Sequence, residues 1–480
     1  MQRNNVMRSI VLAAILLAEA AFIFMMMTLD VLPVKYVIVI FLGMAGVDVL
    51  AFILMGKTGK RAYQIAGIIV SAMVLAVMCM GAWYMYHTFQ TLQKIAEYDS
   101  HFDKYDVLVL KDGNYENVSS IKGEEVYAIK NDSKMYHEAC EKLVTKADIT
   151  FNEVADSTEA MDKLVRESGA TGDNIVFMSD NNYRMFCEED ERYEDEIEIL
   201  TSIKVIKRDN DNAARVDVTQ DPYNICITGI DLWGDIDQVS RSDVNMIVTV
   251  NPQTRTILLT SMPRDSYVVL HSFGEYDKLT HTGVWGVDET TSTIEDWLET
   301  DINYYVRVNF SMLVNIVNAI DGVDVYSDYE FKSAIHDCKY KKGWNHLTGK
   351  EALYFARERK AFEDEDQQRI RNQQKVMKAC LKKVSSSKTL LRNYTELLNA
   401  VEGKMETNIS EKEMASIVKM QLNDMSKWKI KTQSVQGDLT MKGTYTMGMG
   451  RDLLVSIPRQ DSVDKVKANI HKTLYPENID

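Results

Sequence analysis

An α/β chain behind a membrane anchor is the architecture this sequence predicts: three N-terminal transmembrane helices, a small α/β accessory domain and a larger mixed-sheet α/β domain. Three observations carry it. Apolar runs dominate the stretch up to Tyr86. From Tyr105 short β-branched runs alternate with helical stretches, and a hairpin pattern opens a second alternating region at Val244. The expected limits are 1–104 for the anchor, 105–210 for the accessory domain and 222–480 for the larger domain.

Ile10–Leu29, Val34–Met55 and Ala62–Tyr86 are each about 20 or more mostly apolar residues, enough to cross a bilayer. A cleaved signal peptide would be shorter, and two further spans follow, so anchors are expected. Arg3 and Arg8 precede the first span, Lys57, Lys60 and Arg61 lie between the second and third, and only Lys35 lies between the first and second. The positive-inside rule therefore puts the N-terminus in the cytoplasm and residues after about 87 outside. Glu19 and Asp48 are ionisable residues within spans, read either as a site for a lipid or partner helix or as groups buried at helix contacts.

In the accessory region, Asp106–Leu110, Val126–Ile129, Ile149–Asn152, Ile175–Met178 and Ile197–Ile206 read as strands, with helices at Met135–Val144 and Thr158–Glu167. The acidic run Glu188–Glu198 reads as a solvated face, and Asp209–Asp221, polar and without apolar periodicity, as a linker. The net charge of −15 argues against nucleic acid as a partner. Six cysteines (79, 140, 187, 226, 338, 380) show no metal spacing, so neither a disulfide framework nor a zinc site is indicated.

The larger domain begins with a strand ending at Asp231 and a polar loop closing on Arg241-Ser242-Asp243. Val244–Val250 and Thr256–Met262 then form a hairpin with Asn251-Pro252 in the turn. Pairing Val250 with Thr256 sets Asp243 opposite Pro263, beside Arg264. A strand at Tyr304–Phe310, a helix at Ser311–Ile320 and a strand at Val323–Tyr326 suggest a parallel crossover. Leu347–Ala356 is a helix, followed by Arg357 and Arg359 flanking Glu358. On a helix those arginines would point roughly 200° apart, so serving one site requires an extended chain there. Asp366–Lys383 resumes a helix, with Asp366, Arg369 and Gln373 on one stripe. The tail carries a capping box at Ser410 and Glu413, strands at Trp428–Val435 and Leu453–Ile457, and a helix near Val463–Leu474.

Asp231, Arg241, Asp243, Arg264, Arg357, Arg359, Asp366, Arg369 and Gln373 thus fall at element ends. Arginine grips phosphate bidentately, so five of them suggest a pyrophosphate, and paired aspartates suit a hard cation such as Mg²⁺. Phosphoryl transfer needs positioning and charge neutralisation more than a covalent nucleophile, so the lack of GxSxG or a Cys/His pair is no obstacle. The competing reading is surface salt bridging among the same side chains.

GID…SRSDVNMIVTVNPQTRTILLTSMPRD, DKLTHTGVWGV, INYYVRVNF and ALYFARERKAFEDEDQQRIRNQQKV together resemble the LytR-CpsA-Psr family, nearest to capsular polysaccharide members of the streptococcal type. The resemblance implies a membrane-anchored extracytoplasmic phosphotransferase of a Gram-positive-type bacterium. It would attach a polyprenyl-pyrophosphate-linked glycopolymer, capsular or teichoic-acid-like, to peptidoglycan at the membrane lipid surface. It further implies Asp231 and Asp243 as ligands of Mg²⁺ (or Mn²⁺), and Arg241, Arg264, Arg357, Arg359, Arg369 and Gln373 on the pyrophosphate. Asp366 would orient arginines or assist deprotonation, and Lys278 would contact phosphate. Trp233 stands where many members carry arginine, which agrees with the capsular subtype. A prenyl tail would need an apolar slot, with Ser311–Ile320 as one wall. The alternatives are a polyprenyl-pyrophosphate hydrolase and a non-catalytic membrane regulator or polymer-binding protein.

Overall fold

The computed structural model describes the chain except residues 1, 30–31, 57–60, 97–100, 131–133, 166–173, 191, 208–213, 231–235, 237–239, 335–336, 364, 387–388, 390–391 and 477–480. Helices α1 (Gln2–Leu29), α2 (Val34–Gly56) and α3 (Arg61–Ala96) lead. Among the described residues two helices have the length and apolarity to span a bilayer, Val34–Met55 with mean hydropathy 2.7 and Ala62–Lys94 with 2.4. The described apolar part of α1 is Ile15–Thr28. Three spans were expected, and two are of full length. Glu19 is buried, as the helix-contact reading expects. Lys57 and Lys60, on which the expected topology partly rests, lie outside the described residues, as do the side chains of Arg3, Arg8 and Arg61.

The next unit holds β1 (His101–Leu110), β2 (Glu125–Ile129), α4 (Lys134–Ala147), β3 (Thr150–Val154), α5 (Ser157–Val165), β4 (Ile175–Ser179), α6 (Asp180–Glu189), α7 (Arg192–Glu196) and β5 (Ile197–Lys207). The sheet order is β3-β2-β4-β1-β5, with β2 parallel to β3 and β4, and β1 antiparallel to β4 and β5. Strand alternation explains its two cores. Val107 and Val109 pack with Leu143 of α4 on one face, while Leu108 packs with Leu164 of α5 and Phe186 of α6 on the other. Helix α6 was not foreseen in the sequence; Ser179 caps it, its Oγ accepting from Asn182 N. The acidic α7 has no buried residue, as a solvated face requires. Much of the expected linker lies outside the described residues, but Val218 is buried against the larger unit.

The larger unit is built on a six-stranded sheet. In chain order come β6 (Tyr223–Ile230), β7 (Val244–Asn251), β8 (Thr256–Met262), the short pair β9 (Tyr267–Val269) and β10 (Tyr276–Lys278), a 3-10 turn at Leu279–Val284, α8 (Val287–Leu298), β11 (Tyr304–Asn309) and α9 (Phe310–Ala319). Then follow β12 (Val323–Ser327), β13 (Phe331–Lys332), β14 (Lys339–Tyr340), β15 (Gly343–Leu347), α10 (Gly349–Arg357) and α11 (Glu365–Val384). The tail supplies α12 (Tyr394–Val401), β16 (Met405–Thr407), α13 (Glu411–Asp424), β17 (Lys429–Ser434), the hairpin β18 (Gly437–Thr444) and β19 (Gly448–Pro458), and α14 (Gln460–Leu474). The main sheet runs β16-β11-β6-β7-β8-β17 and is mixed: β6 is parallel to β11 and β8 to β17, while β7 is antiparallel to both neighbours.

Two expectations are corrected here. The hairpin pairs Asn251 with Thr256 and Val250 with Ile257, one residue off the expected register. Asn251 keeps its strand pairing while its side chain accepts from Thr254 N at 3.0 Å, and Arg255 closes the loop at φ 51, so the turn is 252–255. The same register continued past Asn245↔Met262 sets Asp243 opposite Arg264, not Pro263. Secondly, β12 makes no parallel crossover. Asp321 (φ 58) and Gly322 (φ 78) swing the chain out of α9, and β12 pairs antiparallel with β15 apart from the main sheet. Val323 and Val325 pack there with Phe355 and Val376.

Candidate active site

The strands β6, β8 and β11 all end at one edge of the main sheet, and the loops leaving that edge are tied to each other. Asp243 N donates to Gly229 O at 2.8 Å, Ser242 N to Thr280 O at 2.9 Å and Thr280 N to Arg264 O at 2.8 Å. Gly283 allows this: a Cβ there would sit 2.5 Å from both Ser240 O and Ser242 N. The 3-10 turn therefore lies directly on the backbone that carries Arg241.

Arg264 leaves the end of β8 and donates to Asp243 Oδ1 at 3.1 Å, and Thr280 Oγ1 donates to the same oxygen at 3.1 Å. Asp265 takes the other flank, 3.6 Å from Arg264 Nε and 3.3 Å from Lys278 Nζ. From the far side, α10 ends at Arg357 and Glu358 turns extended (φ −64, ψ 130). The Glu358 carboxylate is buried, accepting from the backbone N–H groups of Ala334, Arg359 and Ala361. That fixes the extended step the arginine spacing demanded. Arg357 lies 4.2 Å over the Phe310 ring, and Arg359 reaches Asp366 at 3.5 Å. Arg369, one turn along α11, is 3.2 Å from the same Asp366 oxygen. Gln374 locks that helix to the sheet, donating to Ser261 Oγ at 3.0 Å and Gln433 O at 2.6 Å.

Two cavities sharing Arg264 result. One, about 210 Å³, is lined by Asp243, Val244, Phe310, Arg357, Arg359, Lys360, Arg369 and Gln373 among others. The second, about 160 Å³, is lined by Arg241, Asp265, Lys278, Thr280, His281 and apolar Met185, Met447 and Leu453. Basic side chains outnumber acidic ones, and Glu358 is spent on backbone. The electrostatics follow. Burial pushes Asp243 up, but the guanidiniums of Arg264, Arg241 and Arg369 outweigh it and hold the carboxyl below its ordinary value. For Arg264, burial is outweighed by Asp243 and Asp265, which raise it. Arg369 is lowered, first by burial and then by Arg264, with Arg359 adding to the repulsion against Asp366 and Asp243. The cluster is short of negative charge.

Of the residues the sequence pointed to, Arg241, Asp243, Arg264, Lys278, Arg357, Arg359, Asp366, Arg369 and Gln373 are brought together here. Asp231 and Trp233 lie outside the described residues. Among the described residues no group of three or more His, Cys, Asp or Glu side chains is arranged for a metal. Of the expected pair Asp231 and Asp243, only Asp243 is described; its depressed carboxyl is a hard oxygen donor of the kind Mg²⁺ takes, with one oxygen already engaged. Sequence reasoning passed over His281. Its Nδ1 lies 2.5 Å from Asp277 Oδ1, both are buried, and Asp277 Oδ2 accepts from Thr446 N at 2.8 Å. The i, i+4 spacing of Asp277 and His281 was the available signal. Burial raises Asp277, but His281 and Thr446 outweigh it and hold it low. The tail supplies Met447 and Leu453 as cavity wall.

Residues 194–470 match the LytR_cpsA_psr family. The polyisoprenyl-teichoic acid–peptidoglycan teichoic acid transferase TagU of Bacillus cereus is 36% identical over 220 residues, 45% of this chain and 71% of that one. The protein of the same name from Enterococcus faecalis is 33% identical over 201 residues, 41% of this chain and 65% of that one. Among solved structures, TagV of B. subtilis is 28% identical and covers 53% of this chain and 98% of its own, with TM-score 0.45. TagT bound to LIIa-WTA is 26% identical, covering 56% and 96%, with TM-score 0.43. By the family match and the TagU relatives, this chain belongs to the LytR-CpsA-Psr family.

Proposed function

We propose that this protein is a membrane-anchored phosphotransferase that moves a glycopolymer from a polyprenyl-pyrophosphate carrier to a peptidoglycan hydroxyl outside the membrane. The observation that carries the reading is the convergence of Arg241, Arg264, Arg357, Arg359 and Arg369, from separate elements, on two joined cavities with too few carboxylates to neutralise them. A diphosphate supplies the missing charge. Salt bridging alone leaves Arg369 disfavoured.

The arginines and Gln373 bind the two phosphates and hold the reacting phosphorus in place. Asp366, between Arg359 and Arg369, orients them. A prenyl chain leaves over Val244 and Phe310, the apolar side of the larger cavity. The acceptor hydroxyl oxygen bonds to phosphorus, the bridging P–O bond breaks, and polyprenyl phosphate departs with the electron pair. The acceptor proton passes to His281. Ionised Asp277 only accepts, so the imidazole carries its proton on Nδ1 and leaves Nε2 as the base. Asp243, with Asp231, would hold Mg²⁺ or Mn²⁺, which when bound neutralises phosphate charge. Teichoic acid, carried by the named TagU relatives, and capsular polysaccharide are both polymers this site chemistry accepts.

The test is to incubate the full chain in nanodiscs with a polyprenyl-pyrophosphoryl saccharide and peptidoglycan fragments. Polyprenyl phosphate and a phosphodiester-linked product are expected in equal amounts. Release of saccharide phosphate to water, without coupling, assigns the site to hydrolysis, and no turnover refutes the enzyme reading.

A further inference from the structure

A larger cavity than either of these, about 470 Å³, lies between the N-terminal α/β unit and the larger unit. Its volume is in the range of ligand pockets, roughly 300–1,000 Å³. One wall is the tip of the β18–β19 hairpin with Trp285, and the other comes from the first half of β1, the end of β2 and the starts of α4, α5 and α6. The walls are pinned. Ser157 Oγ donates to Thr446 O at 2.7 Å, Thr158 Oγ1 donates to Met447 O, and Trp285 Nε1 donates to Thr446 Oγ1 at 3.3 Å. Gly448, at φ 85, brings the hairpin so close that a Cβ would stand 2.8 Å from the Asp156 carboxylate.

The lining has a definite chemistry. Trp285 and Tyr445 are half-buried rings backed by Phe273, whose centroid is 4.7 Å from Trp285 and 4.8 Å from Tyr445. Facing polar groups include Asn181, Lys130, Asp156 and Glu275. Lys104 is already committed to Asp180 at 2.7 Å and Asp106 at 3.2 Å, so the free balance is acidic. A polyanion is repelled, and an acyl or prenyl chain would strand these polar groups. Aromatic faces beside amide and carboxylate groups suit the apolar C–H faces and the hydroxyls of sugar rings. The position fits too. The 3-10 turn presents Thr280 and His281 to the arginine cavity and Val284 and Trp285 to this cleft, and Met447 lines the former while Thr446 and Gly448 line the latter.

We propose that this cleft binds an uncharged oligosaccharide stretch whose neighbouring part reaches the arginine cavity. This rests on the transferase reading for its source, either the acceptor glycan or the sugar portion of the carried polymer. The full chain in nanodiscs is titrated with a β-1,4-linked N-acetylglucosamine tetramer and, in parallel, with a glycerol-phosphate oligomer, both read by saturation-transfer NMR and calorimetry. The tetramer is expected to bind, with Kd raised at least tenfold by Trp285→Ala and several-fold by the surface pair Asn181→Ala/Lys130→Ala, and unchanged by Arg357→Ala. The pair guards against a Trp285 variant that loosens the junction. Binding of the tetramer within twofold of wild type in both variants overturns the proposal, as does loss of binding in Arg357→Ala or preference for the glycerol-phosphate oligomer. Adding the saccharide unit that the carrier bears separates the sources: competition with the tetramer assigns the cleft to the carried sugar, and its absence to the acceptor. A wild type that binds the tetramer through Trp285 but transfers no polymer supports the cleft and removes the transferase reading. One that transfers polymer while Trp285→Ala binds normally removes the cleft alone.

Discussion

Arg369 is the most informative single residue, because its charge is opposed both by burial and by the guanidiniums of Arg264 and Arg359. An anion that enters relieves that opposition, so inorganic pyrophosphate should stabilise the fold, by about 2.7 kcal/mol at a hundredfold excess over Kd. Thermal melting of Arg369→Ala and Arg357→Ala should show this shift lost, and an undiminished shift would place the anion elsewhere. Arg→Lys at 264, 357, 359 or 369 keeps charge but loses the planar fork, and should lower transfer roughly tenfold or more. Arg→Ala should be worse, with stability nearly unchanged. Surface salt bridges would give the reverse, near-normal transfer and losses of a few tenths of a kcal/mol. Asp243→Asn should abolish divalent-dependent turnover while the protein still folds. Acid stability has a sign fixed by the same chemistry. Asp243 and Asp277 both ionise below a free aspartate, so each contributes stability that is full above about pH 4 and lost as pH falls through the depressed folded value. Asp277→Asn should flatten the acid limb of stability against pH, and an unaltered limb would contradict the pairing with His281.

The elements show what the sequence could and could not disclose. Period located the main strands and helices of the larger unit, and Ser410 with Glu413 is a local cap signal that the folded chain keeps. The extended step at Glu358 was legible from the arginine spacing alone. Register was not, since the choice between Thr256 and Ile257 opposite Val250 depended on the Asn251 side chain and on Arg255 entering left-handed backbone. Nor was the β12–β15 pairing, which is decided by which core Val323 and Val325 reach. His281 stayed hidden because a buried histidine is called functional only once Asp277 and the cavity are in place. Position within the fold also makes Gly349 testable. It begins the helix that ends in Arg357, and a Cβ there would lie 2.2 Å from Val314 O on α9. Gly349→Ala should cost about 1–3 kcal/mol by overpacking and displace Arg357, lowering both the melting temperature and transfer. A variant with unchanged stability would mean that α9 gives way freely.

At the scale of the whole molecule, the two α/β units behave as one body rather than a domain with an appendage. Val284, Met447 and Leu453 of the larger unit share a core with Leu108, Met161 and Leu164 of the smaller. The helices are joined to the same body at two places. Lys35, at the start of α2, donates to Asn423 O of α13, and Tyr36 Oη donates to Leu422 O at 3.4 Å. Lys94, near the end of α3, meets Glu402 at 2.6 Å. The start of α2 and the end of α3 therefore both rest on the larger unit. The lysine and arginine pattern of the first 61 residues predicts Lys35 outside and the basic α2–α3 link inside. A phosphatase reporter that folds only outside the membrane should be active when fused after Lys111 and inactive when fused between Lys57 and Arg61. Both fusions should be checked against whole-cell proteolysis with an exported control. Protection of residues beyond Tyr105 while the control is cut would put the arginine cavities in the cytoplasm, away from an outer-leaflet carrier, and the proposed transfer would fall with the topology.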